Sequence, residues 1–242
     1  MQASDKVFIM GHANEDYDAI GSAIGMAKLS LSLNKETYIV LSGRNENVNR
    51  ISEMLAHECV KVSDHEEDYN SIMVEEEEAL KHITPSSLLI LVDHHREILT
   101  ASKSVLDAIP KRIIVDHHRR AEDLLGDTVL LYLEPSSSST SELLTELVGY
   151  FNDRLEITPA EATALYAGIV LDTKNFAVQT GERTFEAAAL LRRSGADPTM
   201  VRLMFKDDMD VLKLRARLLA EAKTIEPGIA ISIYKKAEKG AK

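Results

Sequence analysis

VFIMGHANEDYDAIG, residues 7–21, is the stretch whose reading decides the fold. An apolar run ends in Gly11 and His12, Asp16 and Asp18 follow, and Ala19-Ile20-Gly21-Ser22 opens a helix. One imidazole and two carboxylates are therefore bunched at the mouth of a strand. Two later apolar runs end the same way. Residues 88–92 lead into Asp93-His94-His95, and residues 113–115 lead into Asp116-His117-His118. Strands ending in Asp and His pool those side chains at one edge of a sheet, where open α/β folds keep their sites.

Working outward, Ile20, Ala23, Ile24, Ala27 and Leu31 recur at helical spacing and predict a helix over 19–33. Residues 37–41 read as a short strand. Residues 88–92 form a continuous apolar strand of the kind buried on both faces of a parallel sheet. Strands at 112–115 and 128–133 follow, with a short helix near 102–108 before the first of them. Between 42 and 84 the pattern is weak: a short helix at 51–55, an acidic solvent-facing loop at 63–70, an acidic helix at 74–82. Strands alternating with helical patterns predict an α/β fold, a doubly wound, mostly parallel sheet flanked by helices.

After Pro135 the character changes and the C-terminal part reads as helical. Residues 136–140 offer a serine-rich N-cap for a helix over 141–151. Thr158, Pro159 and Glu161 make a capping box with proline at the first helical position, opening a helix that runs to Asp172. Helices at 183–194, 199–205 and 208–222 and a lone strand at 229–234 complete the pattern, before a lysine-rich end that reads as frayed. The division expected is one domain over 1–225, then 226–242 as a frayed tail or the start of a further domain.

The chain has 242 residues, 45% of them hydrophobic, which is a folded globular composition. A net charge of −11 argues against a binder of duplex nucleic acid, which would show a basic face. An anionic substrate stays open, because bound cations reverse the local sign. The single Cys59 rules out an internal disulfide and fits a reducing cytosol. No apolar run approaches the roughly 20 residues needed to span a bilayer. The expectation is a cytoplasmic chain without membrane contact of its own. A homodimer is left open.

Hydrolysis of a phosphate ester needs charge neutralisation, an activated water and fixed geometry, and two divalent ions about 3.5–4 Å apart supply all three. His12 and Asp16 are spaced to curl round one ion, and Asp16 and Asp18 to point at neighbouring ions. Asp93 is the natural bridge, His117 a ligand of the second ion, and Asp172 its last carboxylate. Mixed carboxylate and imidazole donors suit Mn²⁺, with Mg²⁺, Co²⁺ or Fe²⁺ as alternatives. Each signal alone has a plainer reading: Asp18 as a helix N-cap, a histidine as a hydrogen-bonded structural residue, Asp172 as a helix terminator. Three strand-end clusters that each join Asp with His are hard to explain by capping. The hydroxyls of Ser138, Ser139 and Thr140 at a helix start read either as an anion site or as ordinary caps. Arg183 reads as a phosphate contact or as a partner of Glu186. Arg119 and Arg120 read as a solvated pair rather than a clamp.

GHANEDYDAIGSAIG, VDHHR at 92–96, IVDHHRR at 114–120 and GIVLDTKNF at 168–176 resemble the four motifs of the DHH phosphoesterase superfamily. YIVL at 38–41, EPSSSSTSELLTEL at 134–147 and the segment 164–197 are similar to the catalytic domain of bacterial cyclic di-AMP phosphodiesterases. The resemblance implies His12 and Asp16 on one metal, Asp18 on the other, Asp93 bridging, and His117 with Asp172 completing the second site. It implies that His118 contacts the substrate phosphate and that Asp116 orients an imidazole. Asp93-His94-His95 mimics the signature without being it. The family usually has Thr where His94 stands, so His94 is a spare contact or points away, and His95 is a lesser candidate near the site. The resemblance further implies a single domain of a longer protein, membrane-anchored with this domain on the cytoplasmic side.

The function expected is a manganese-dependent phosphodiesterase that hydrolyses cyclic di-AMP to pApA, or cleaves short dinucleotides, through a hydroxide activated by two metals. Asp93, His117 and His118 would carry the catalysis. The alternatives are an oligoribonuclease, nucleotide phosphatase or pyrophosphatase of the same superfamily, and a nucleotide-sensing module without turnover.

Overall fold

The computed structural model describes residues 1–234 apart from residues 57, 63–64, 152–154 and 207–208. The chain divides at Val201 into two compact units. The first begins with β1 (Lys6–Met10), α1 (Tyr17–Ser32), β2 (Glu36–Leu41), α2 (Glu46–Leu55), β3 (Cys59–Val62) and β4 (His65–Asp68). It continues through β5 (Met73–Glu75), α3 (Glu76–His82), β6 (Leu88–Val92), α4 (Lys103–Ala108), β7 (Arg112–Asp116) and β8 (Thr128–Leu133). The helices α5 (Thr140–Phe151), α6 (Pro159–Asp172) and α7 (Glu182–Arg193) close it, and the dividing point falls within α8 (Pro198–Met204).

Six strands form one sheet in the order β5-β2-β1-β6-β7-β8, every neighbouring pair parallel. The chain builds outward from β1 on one side, then returns to start again at β6 on the other. That reversal is a topological switch point, and it opens a crevice above the C-terminal ends of β1 and β6. β1 and β6 are buried almost throughout, as the unbroken apolar runs require for strands covered on both faces. On one face Phe8, Met10, Leu89 and Leu91 pack with Val105, Leu106 and Ile109 from the α4 region. On the other, α1 lies against α5 and α6. The close approach is made by Gly21, where a Cβ would sit 2.6 Å from the Ala164 carbonyl oxygen.

The sheet, the helix layers and the capping box at Thr158 match the expected doubly wound architecture. Differences fall between 42 and 84 and after 222. Residues 73–75 are the edge strand β5, not the start of a helix, because Met73 and Val74 pair through their main chains with Ile39 and Val40. The segment expected as an acidic loop at 63–70 holds β4, paired with β3, and a 3₁₀ turn whose Tyr69 is buried; residues 63 and 64 lie outside the described residues. The second unit holds α9 (Met209–Glu221), β9 (Lys223–Glu226) and β10 (Ile229–Ile231). The strand expected to stand alone is instead the second arm of a hairpin, β10 pairing antiparallel with β9 around Gly228 at φ +86°. The lysine-rich end, 235–242, lies outside the described residues. Among the described residues no helix is long and apolar enough to cross a membrane.

Candidate metal centre

β1, β6 and β7 are neighbours, so the residues that follow their C-terminal ends meet over the crevice. The loop after β1 carries His12 and Asp16, and Glu15 fixes it. Its buried carboxylate accepts from the Ser42 amide at 2.5 Å and the Ser42 hydroxyl at 2.9 Å. The side-chain amides of Asn45 and Asn47 hold its carbonyl oxygen. Asp16 is the N-cap of α1, accepting from the amides of Asp18 and Ala19 at 2.9 and 3.0 Å. The His12 Nδ1 faces the Ala13 carbonyl at 2.9 Å, so Nδ1 carries the proton and donates. Its Nε2 lies 3.6 Å from Asp16 and 3.6 Å from Asp93.

Asp93 stands in the turn after β6 with φ +62°, a left-handed backbone rarely taken by a non-glycine residue. One carboxylate oxygen faces His12. The other accepts from the Thr140 hydroxyl at 3.1 Å and lies 3.5 Å from His117 Nε2. From that nitrogen, Asp172 at the end of α6 is 3.1 Å away and Asp18 is 3.9 Å away. His117 Nε2 is buried with no hydrogen-bond partner. A buried nitrogen left without a partner, facing three carboxylates, is the donor arrangement a cation completes.

Two sets of donor atoms, His12-Asp16-Asp93 and Asp18-His117-Asp172, each lie within 4.8 Å of one another, and Asp93 stands between them. Asp93-His117-His118 makes a third such group. All six residues expected as metal ligands therefore converge. The charges show the crowding. Burial, then Asp93 and Asp172, push the Asp18 carboxyl well up. Burial also raises Asp93. Asp16 and Asp93 raise His12 to about 11. Burial lowers His117, but Asp172, Asp18 and Asp93 outweigh it and carry it to about 10.

Asp18 does not cap its own helix. It is fully buried, and its two oxygens accept from the amides of Thr140 and Ser141 at 2.7 and 2.8 Å, so a carboxylate of α1 caps α5. This closes the helix N-terminus that the hydroxyl run at 138–140 suggested for a phosphate. Ser138 donates to the Glu142 carboxylate at 2.5 Å, Ser139 accepts from the Glu142 amide, and Thr140 donates to Asp93. All three are buried, and their hydroxyls serve the protein's own groups. Arg183 is held in a two-point ion pair by Glu146, at 2.7 and 2.6 Å, rather than by Glu186.

Asp116 is buried at the end of β7 and accepts from two imidazoles, His95 at 2.5 Å and His118 at 2.8 Å. Burial pushes its carboxyl up, but those hydrogen bonds hold it well below the usual range. His95 spends its other nitrogen accepting the Ala121 amide at 3.0 Å, so neither is free for a ligand, and it is a brace for Asp116. His118 is 56% exposed, with its Nδ1 held by Asp116. Asp116 raises its imidazole, against burial. His94 is buried and donates from Nδ1 to the Val92 carbonyl, and burial lowers it to about 4. A cavity of about 850 Å³ lies above this floor, walled by the segments after β6 and β7, by Pro135 and Ser136, and by Gln179 and Thr180.

Residues 6–169 match the family model described as the DHH family, N-terminal domain. The chain belongs to the DHH family. This DHH chain is 41% identical over 229 residues to a cyclic-di-AMP phosphodiesterase, GdpP, of Geobacillus thermodenitrificans, covering 95% of this chain and 34% of that protein. It is 38% identical over 232 residues to the cyclic-di-AMP phosphodiesterase PdeA of Listeria monocytogenes, again over 95% of this chain and 34% of the relative. The DHH chain thus spans about a third of the length of these relatives. The crystal structure of an exopolyphosphatase-related protein from Bacteroides fragilis shares the fold, with a TM-score of 0.71 at 24% identity, over 91% of this chain and 62% of that one.

No local pattern announces the Asp18–α5 cap or the role of Glu15. The walls at Gln179 and Thr180 were equally hidden. They belong to a segment in which Lys174, Asn175, Phe176 and Gln179 all take positive φ, without a glycine among them to signal it.

Proposed function

We propose that this DHH domain is a metal-dependent phosphodiesterase that opens one phosphodiester of cyclic di-AMP to give pApA. The observation that carries the reading is the convergence of His12, Asp16, Asp18, Asp93, His117 and Asp172, with Asp93 shared between two donor sets. The similarity to two cyclic-di-AMP phosphodiesterases over 95% of the chain supports the substrate. His12, Asp16 and Asp93 would hold one divalent ion, and Asp18, Asp93, His117 and Asp172 a second, with Mn²⁺ the best match to mixed carboxylate and imidazole donors. Ions held there would supply an activated water and take up charge developing on the phosphoryl oxygens.

The chain's own groups do the rest. Asp116 accepts from His118 Nδ1, which fixes the ring and turns its other nitrogen to the cavity as a donor to a phosphate oxygen. Thr140 and the α5 cap hold Asp93 and Asp18 in place. The test is product analysis of the purified chain with Mn²⁺, offering cyclic di-AMP, pApA and pyrophosphate in parallel. Conversion of cyclic di-AMP to pApA, abolished by a chelator, is the expected result. Turnover of pyrophosphate alone would overturn the substrate. Dinucleotide binding without any turnover would identify a sensing module.

A further inference from the structure

The cavity is far larger than one phosphate needs, and its walls differ in what they leave free. Two arginines line it, Arg96 and Arg119. Arg96 is engaged: its Nε and terminal nitrogen grip the Asp123 carboxylate at 2.8 and 2.7 Å. Arg119 is exposed and, among the described residues, has no hydrogen-bond or ion-pair partner. It directly follows His118, which faces the same cavity. Arg120, next in the chain, is exposed but does not line the cavity. The sequence reading of a solvated pair therefore separates into one arginine at the site and one outside it.

A guanidinium left unpaired in a chain of net charge −11, beside a cavity floored by carboxylates, is placed for an anion that the floor does not hold. A cyclic dinucleotide carries two phosphates, of which only one is cleaved. Gln179 and Thr180 add hydrogen-bonding groups to the same walls, suited to the sugar and phosphate oxygens of an extended ligand. We propose that Arg119 binds the second, uncleaved phosphate of a dinucleotide and so selects two-phosphate substrates. This rests on the phosphodiesterase reading above.

The test compares the Mn²⁺-loaded full chain with its Arg119→Ala, Arg119→Lys and Arg120→Ala variants on cyclic di-AMP and on bis-p-nitrophenyl phosphate, which has a single phosphodiester. Arg119→Ala is expected to lower kcat/KM on cyclic di-AMP, mainly through KM, by about tenfold more than on the one-phosphate ester. Arg119→Lys recovers part of that selectivity as a point charge, and Arg120→Ala keeps the wild-type ratio. Equal losses on both substrates, or an equal effect from Arg120→Ala, overturn the proposal. A binding titration with fluorescent cyclic di-AMP separates the two readings. If the wild-type chain turns over neither substrate, the phosphodiesterase reading fails, and the Arg119 proposal then stands or falls on whether Arg119→Ala weakens the titration while Arg120→Ala does not.

Discussion

Asp93 stands between the two donor sets, and no other side chain described reaches both His12 and His117. Asp93→Asn keeps the size and the acceptor for Thr140 but halves the ligating capacity. The expected outcome is a fall in bound Mn²⁺ from two ions to one or fewer by elemental analysis, with turnover down on the order of a thousandfold. His95 acts one step away. Its loss leaves one oxygen of Asp116 and the Ala121 amide without their partner, so His95→Ala should reduce Mn²⁺ affinity or turnover by about 10–100-fold, less than Asp93→Asn does. A His95→Ala enzyme as active as wild type would contradict the bracing role. At this scale the residues that converge are legible, because His12, Asp93 and His117 stand just beyond the ends of apolar strands. Partners are not. Asp18 meets an amide 122 residues away, and no local pattern announces that.

Helix placement sets the position of the carboxylates, and at Gly168 α6 passes close to Asp18. A Cβ there would fall 2.2 Å from the Ser141 hydroxyl and 2.7 Å from an Asp18 oxygen. Gly168→Ala should therefore push Ser141 and Asp18 out of register, destabilising the fold by about 1–3 kcal/mol and weakening Mn²⁺ binding together. Calorimetry and a metal titration on one preparation would check this; a loss of stability with wild-type affinity would show that the site tolerates the shift. Thr158→Ala makes the contrast. It removes the capping box at the far end of α6, and about 1 kcal/mol, or roughly 2–4 °C in Tm, should go without loss of turnover below the melting range. The capping box and the long strands could be read from the sequence because their signals are local. β5 and β9 could not: three residues are too few for a period, and Lys223–Glu226 alternates weakly and is exposed throughout.

For the molecule as a whole, the centre stores like charge that only protons or cations relieve. In the metal-free chain His12 and His117 are raised to about 11 and about 10, from an ordinary value near 6.5. Their contribution to stability is complete below about pH 6.5 and is lost as pH climbs through 10 and 11. Asp18 and Asp93 are raised as well, so the folded state also gives up stability as they ionise. Chelated protein should melt at lower temperature at pH 9 than at pH 6.5, and saturating Mn²⁺ should shrink that difference by replacing the protons. Parallel slopes with and without the ion would contradict a shared site. The acidic balance was plain from composition. Which acids face one another was not, since that depends on the strand order, and the reversal at β1 and β6 is written nowhere in the sequence as a local signal.

The capping of α5 by a carboxylate from α1 has a consequence for biosynthesis. A ribosome delivers His12 and Asp16 early, but Asp172 emerges only after α6 is complete. Asp18 lacks the amides that orient it until the start of α5 is made, and no precursor that ends before Asp172 can present the full set of donors. Assembly of the six donors is thus tied to finished tertiary structure, and a nascent chain that stops short of α6 lacks the complete set.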